Sequence, residues 1–247
     1  TVCLRTLNPY VEVLESIFIY PLKIFAMILK TKKSKEVAII IASKGPSRYL
    51  SEILDKLDKV CPAHIKYKVY LVSCGDSELE NTEKVVNIRD SGSGSCNAYN
   101  LGVKSSYEDY VFIMTAYTIP DDNLFTMVEF LDSLEHKICS FSYDTVPYTP
   151  VYSPRCPILR WPAAHRSFID TTLGGVIFNE FFKHHFMDNW LSVWLSLSGK
   201  PCIVGNARLI SKPHITAFSH DSFDEDVFKQ LMDKFSENSC YNNMNIV

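Results

Sequence analysis

Glycine and proline are sparse in this chain, 9 and 12 in 247 residues. That excludes a collagen-like, low-complexity or disordered protein. A long basic block is missing too: the net charge is −3, and the one lysine-rich run, Lys30 to Lys35, is short. A dedicated nucleic-acid binder needs a basic face to neutralise phosphates, so that class does not fit. None of the eight cysteines stand in C-x-x-C spacing, which leaves a zinc site without support. No apolar run reaches the ~20 residues that a membrane-spanning helix requires. Ile17 to Leu29 is too short and interrupted, and Glu12, Glu15 and Lys23 break the stretch that could have served as a secretory signal.

What remains is ordinary globular material, 47% hydrophobic and 21% charged. The length suits one large domain, or one domain with an appendage. The cysteines are Cys3, Cys61, Cys74, Cys96, Cys139, Cys156, Cys202 and Cys240. An even count allows disulfides, but Cys74, Cys96 and Cys139 fall in or beside predicted core strands and turns, where free cysteine packs as a small hydrophobe. The expectation is a reducing, cytoplasmic compartment.

Three regions are expected: an amino-terminal helical appendage over 1–35, an α/β domain over 36–220, and a carboxy-terminal helix and tail over 221–247. In the first, residues 9–31 are apolar and helical in pattern, with Pro21 kinking or splitting them. Either this helix pair packs on the body of the domain, or residues 9–35 lie peripherally in a membrane interface with their lysines toward anionic headgroups.

From Glu36 strands alternate with helices. Val37 to Ala42 is a continuous β-rich apolar run, as in a buried parallel strand. Tyr49 to Val60 has helical spacing. Val69 to Val72 predicts the second strand, Glu78 to Lys84 a short helix, Val85 to Ile88 a third strand, Asn97 to Ser105 a helix and Tyr110 to Met114 a fourth strand. This alternation predicts an α/β fold with a mostly parallel central sheet flanked by helices. Ligands on such sheets sit at the carboxyl ends of the strands. Ala42-Ser43-Lys44, Ser73-Cys74-Gly75-Asp76 and Thr115-Ala116-Tyr117 all fall there. Further on, Asp122 to His136 reads as a helix and Ser140 to Trp161 as a long loop or short antiparallel strands. Gly174-Gly175 is a turn, Asp188 to Ser198 a helix stopped by Gly199, Cys202 to Val204 a strand and Glu225 to Phe235 a helix.

These segments, from about Val37 to about Val204, resemble the family-2-like glycosyltransferases of the GT-A (Rossmann-like) fold. V-A-I-I-I-A-S-K-G-P-S-R-Y-L resembles the nucleoside-holding first strand and turn, and V-Y-L-V-S-C-G-D-S the second-strand signature. Ala98-Tyr99-Asn100-Leu101-Gly102 resembles the A-R-N-x-G segment, and Gly174-Gly175 the glycine pair beside the acceptor. Asp188-Asn189-Trp190-Leu191, continuing to Gly199, resembles the E-D-x-x-L helix whose aspartate is the catalytic base. The match implies a nucleotide-sugar donor, such as a UDP-sugar, and a glycan or glycolipid acceptor, as in polysaccharide biosynthesis. It places the donor on Ala42, Ser43, Lys44, Ser73, Gly75, Asp76, Asn100, Thr115, Ala116 and Tyr117. The acceptor falls to Gly174, Gly175 and Trp190.

The chain departs from that pattern at the metal. Two aspartates (D-x-D) normally follow the fourth strand; Thr115 and Tyr117 stand here, and neither is a normal magnesium or manganese ligand. Ser73 and Cys74 replace second-strand acids, and Tyr99 replaces an arginine. The expectation is an inverting, metal-independent hexosyl- or pentosyltransferase with no metal cofactor. Its diphosphate would be neutralised by a cation drawn from Lys44, Arg89, Arg166, Arg208, Lys212 and His214. The rival is a noncatalytic, degenerate scaffold that binds a glycan or a protein. Asp188 is the candidate base, although aspartate at a helix start is also a good cap. Trp190 and Trp194 suit an acceptor platform or a core. His184-His185 with Asp188 lacks a further metal ligand. The Asp221 to Asp226 run reads as a solvated helix start.

Overall fold

The computed structural model describes residues 34–44, 48–73, 81–143, 158–213 and 222–237. The expectations on residues 1–33, Gly75, Asp76 and His214 lie outside these. The unit described begins at Lys35.

The first half is a parallel sheet built by right-sized apolar strands. Strand β1 (Lys35–Ser43) pairs in parallel with β2 (Ile65–Ser73) and β4 (Tyr110–Thr115), and β2 pairs in parallel with β3 (Val85–Arg89). Val37 to Ile41 are fully buried because helices cover both faces. Alternation decides which core each residue enters. Val37, Ile39 and Ile41 join one cluster with Leu50, Ile53 and Leu57 of helix α1 (Leu50–Val60). Ala38 and Ile40 join the other with Cys96, Tyr99 and Val103 of α2 (Ser95–Ser105). A period of two across the sheet gives a three-layer α/β/α arrangement.

Gly102 is required by that packing. A Cβ there would clash with Ile40 Cγ2 and lie 3.1 Å from Val72 Cγ2. Helix propensity alone favours alanine over glycine by about 1 kcal/mol. The expected result of Gly102→Ala is nonetheless a loss of about 1–3 kcal/mol from overpacking, read as a lower urea midpoint at constant slope.

The second half closes the sheet with mixed pairing. Five elements follow: β5 (Thr118–Pro120), α3 (Thr126–Ser133), β6 (Ile138–Tyr143), β7 (Pro162–His165) and α4 (Arg166–Thr172). The chain then forms α5 (Met187–Leu197), β8 (Val204–Ser211) and α6 (Ser222–Glu237). The eight-stranded order is β3-β2-β1-β4-β7-β6-β8-β5. Strand β7 runs antiparallel to β4 and β6, β8 antiparallel to β5, and β6 parallel to β8. Helices α1 and α3 contribute to the first core cluster, and α2, α4, α5 and α6 to the second.

Several expectations are corrected. Residues 81–84 are not helical. The helix expected over Asp122 to His136 is only Thr126–Ser133, because Asp121 Oδ1 accepts from the Asn123 amide (3.0 Å) and holds the preceding residues in a turn. The strand expected at Cys202 to Val204 is instead Val204–Ser211, with alternating burial. Asp224 is not solvated; it is fully buried. Among the described residues no helix is long and apolar enough to cross a membrane.

Candidate functional site

The strand order reverses beside β1: β2 lies on one side of it and β4 on the other, and a crevice opens at such a switch point. The register aligns the predicted turns there. Ser43 is opposite Ser73, Ala42 opposite Thr115, and Ser73 opposite Arg89. Ala42 and Ser43 are half-buried and Lys44 is exposed. The first, second and fourth strand ends thus form one edge.

At that edge Thr115 and Thr118 close a tight turn. The Thr115 amide donates to Thr118 Oγ1 (3.2 Å), and Thr118 Oγ1 donates to the Thr115 carbonyl (3.0 Å). Ala116 is buried. Tyr117 is hydrogen-bonded to Thr115, and burial raises its phenol pKa, opposed by that bond and by the charge of Arg160. Carboxylates are what a magnesium or manganese ion on a diphosphate wants. This turn offers engaged hydroxyls and a neutral phenol, and does not fit such an ion. Among the described residues no three or more His, Cys, Asp or Glu side chains form a group that could hold a metal, His184, His185 and Asp188 included.

Arg160 was absent from the cations expected from sequence. The antiparallel register pairs Tyr110 with His165, Val111 with Ala164 and Phe112 with Ala163. The ladder ends there, and Arg160 lies in a bend two residues before β7. Its guanidinium lies over the Trp161 ring, 5.3 Å from the centroid. The preceding residue is tied to α5: the Leu159 amide donates to Ser192 Oγ (2.8 Å), which donates to the Asp188 carbonyl (2.7 Å). The Arg160 charge acts on both Tyr117 and Asp188, and Tyr99 feels all three groups.

Asp188 sits in the first turn of α5, two residues past the N-cap position, which Phe186 occupies without a side-chain cap. It is therefore not the cap. Burial raises its pKa above the ordinary aspartate value, opposed by the Asn189 amide, which donates to Oδ1 (2.9 Å), and by the charges of Arg160 and His185. Beside this pair two buried donors, Trp161 Nε1 and Asn189 Nδ2, have no hydrogen-bond partner.

Other expected residues take different places. Asn100 is buried and spent on the backbone: Nδ2 donates to the Phe178 carbonyl (2.8 Å), and Oδ1 accepts from the Ile177 (3.2 Å) and Phe178 (3.1 Å) amides. It supports the site rather than facing it. Trp190 is buried and tilted against Phe182, so it is core and not a platform. Gly174 and Gly175 have φ of 71° and 86° and nothing within 4 Å of an added Cβ, so they border open space. Arg166 donates to the Val103 carbonyl (3.0 Å) and Ser106 Oγ (2.5 Å) at the opposite end of β4. Lys212 pairs with Glu52 at 2.8 Å. Cys61, Cys96, Cys139 and Cys202 are free thiols, and burial pushes Cys96 and Cys139 up to about 12, where they are inert.

The mixed eight-stranded sheet flanked by helices has the GT-A fold. The chain is similar in structure to the mannosyltransferase PcManGT from Pyrobaculum calidifontis in complex with GDP-Man and Mn2+, with 14% identity and a TM-score of 0.56. That match covers 82% of this chain and 63% of the other. It is similar to glucosyl-3-phosphoglycerate synthase from Mycobacterium tuberculosis in complex with Mn2+, UDP-Glc and phosphoglyceric acid, with 12% identity, coverage of 82% and 80%, and a TM-score of 0.56. It is also similar to S. aureus TarS 1-349 in complex with UDP-GlcNAc, with 11% identity, coverage of 75% and 61%, and a TM-score of 0.54. The chain thus spans less than two thirds of the PcManGT and TarS chains. No protein-family model and no curated protein matches the sequence.

Proposed function

We propose that this chain is a glycosyltransferase that moves a sugar from a nucleotide-sugar donor to a hydroxyl of a glycan or glycolipid, with inversion and without a divalent metal. The observation that carries this is that the Arg160 charge acts on both Asp188 and Tyr117, and Tyr117 follows the carboxyl end of β4. A half-buried carboxylate of raised pKa, acted on by a nearby cation, suits a general base that takes the proton of an attacking hydroxyl.

In this reading the nucleoside diphosphate lies along Ala42 to Lys44, Ser73, Gly75, Asp76 and Thr115 to Tyr117. The acceptor enters past Gly174 and Gly175. Asp188 takes the acceptor O–H proton as that oxygen bonds to the anomeric carbon. The bond from that carbon to the diphosphate oxygen breaks, and the nucleoside diphosphate departs with the bonding pair. Arg160 faces the charge that builds on it. A cation fixed by the protein does here what a metal does between two carboxylates.

The test is a panel of UDP-Glc, UDP-GlcNAc and GDP-Man, with release of nucleoside diphosphate followed with and without EDTA. The expected result is turnover of at least one donor at a rate that EDTA leaves nearly unchanged. Strong inhibition by EDTA would refute the metal-free mechanism. Tight glycan or protein binding with no turnover of any donor would favour the noncatalytic scaffold.

A further inference from the structure

The carboxylate of Asp224, on α6, is fully buried and accepts three consecutive backbone amides. Lys183 donates to Oδ1 (2.8 Å), and His184 and His185 both donate to Oδ2 (2.7 Å each). Successive amides converging on one anion form a nest, and the carboxylate sets the backbone path of all three residues. Four residues along α6, on the same face, Phe228 stacks on Phe186 with centroids 5.3 Å apart and planes at 24°. Phe186 has φ of +59°, an uncommon state for a bulky side chain. Such a conformation persists only where its surroundings over-determine it. Its carbonyl accepts the Trp190 amide (2.7 Å), opening the helix that carries Asp188 two residues on.

The same turn is gripped from the other side by α2. The Cys96 amide donates to the Lys183 carbonyl (2.9 Å), and the Ser95 amide donates to His184 Nδ1 (3.2 Å). Gly94, with φ of +115°, is needed for that approach, because a Cβ there would lie 2.5 Å from the Lys183 carbonyl oxygen. Residues 183–186 are therefore clamped between the helix that borders the donor edge and the carboxy-terminal helix. Asp188 is aimed by whatever fixes them.

We propose that Asp224 and Phe228 are positioning residues of the transfer reaction, holding residues 183–186 in the turn that aims the Asp188 carboxylate at the acceptor. The proposal rests on the reading of Asp188 as the base. It makes α6 part of the working site, although no atom of Asp224 touches substrate.

The test uses the full chain with Asp224→Asn and, as the milder change, Phe228→Leu. Asparagine turns an NH2 toward amides that need an acceptor. The readouts are the Asp188 carboxyl titration followed by 13C NMR, UDP affinity, and kcat on the donor that the panel identifies. Both variants are expected to move the Asp188 titration midpoint and to lower kcat by at least ~10-fold, as a small misplacement of a reacting group does. UDP affinity should change little. In an Asp188→Asn background the Asp224 change should cost nothing further. A lower melting temperature with unchanged Asp188 titration and unchanged kcat in both variants would overturn the proposal and leave Asp224 as an anchor of α6. Wild-type kcat in Asp188→Asn itself would instead remove the base reading, and the titration would still decide whether Asp224 sets the geometry at that carboxylate.

Discussion

Asp188→Asn should reduce transfer by ~10²–10⁴-fold, the usual cost of losing a general base, and at the same time raise the melting temperature at neutral pH. The loss should fall on kcat, since the carboxylate acts on the acceptor proton in the transition state. The gain in stability follows from burial, which lifts the Asp188 pKa above the ordinary aspartate value. The unfolded chain then releases this proton at a lower pH than the native chain does. Native stability falls as pH climbs from the ordinary value through the raised one, and the deficit persists at neutral pH. Asparagine keeps the size of the protonated acid, and its Oδ1 can still accept the Asn189 amide now bound at 2.9 Å. It escapes the cost of ionisation, and each kcal/mol so recovered is worth ~2–4 °C in a chain of this length. Thermal melts at pH 7 and below pH 4 check this, because the gain should vanish at low pH. The wild-type kcat/KM should fall along an acid limb whose midpoint lies above the ordinary aspartate range. An inactive variant that also melts lower at pH 7 would mean that the carboxylate is structural.

The parallel half of the fold was legible because its strands carry their own evidence. Val37 to Ile41 is too apolar for a one-sided strand, and the spacing of Leu50, Ile53 and Leu57 matches one face of a helix. The strand ends then placed Ala42, Ser43, Ser73 and Thr115 on one edge without any knowledge of side-chain contacts. The mixed half was not legible. Strand β7 reads Pro-Ala-Ala-His, which has no strand propensity, and it exists because β4 and β6 flank it. Arg160 was missed for that reason, since its position depends on an antiparallel register between residues about fifty apart in sequence. Asp224 was misread because charge in a helix start normally faces solvent, and only the fold brings three amides to it. Trp190 matched a family segment, yet an aromatic at helical spacing is core more often than not, and it is core here.

Arg160→Ala should cost ~10²–10³ in kcat, the scale for losing one preorganised stabiliser of transition-state charge. The Arg160 charge acts on Tyr117, which stands where a metal-binding acid would otherwise be. Among the described residues no group of three or more His, Cys, Asp or Glu side chains could hold that metal. Arg160→Lys should recover part of the rate, because it restores a point charge without the planar fork or the stacking on Trp161. UDP affinity should weaken in step. A second readout separates this role from simple packing. The Arg160 charge lowers the Asp188 pKa against the pull of burial, so its removal should move the acid limb of the pH–rate profile to higher pH. Arg166→Gln is the contrast: that side chain bonds Val103 and Ser106 at the far end of β4, so it should lower stability with little effect on kcat. If Arg160→Ala leaves kcat, UDP affinity and the acid limb all unchanged, the diphosphate is neutralised elsewhere, and the exposed Lys44 and Arg89 on the same edge become the groups to test.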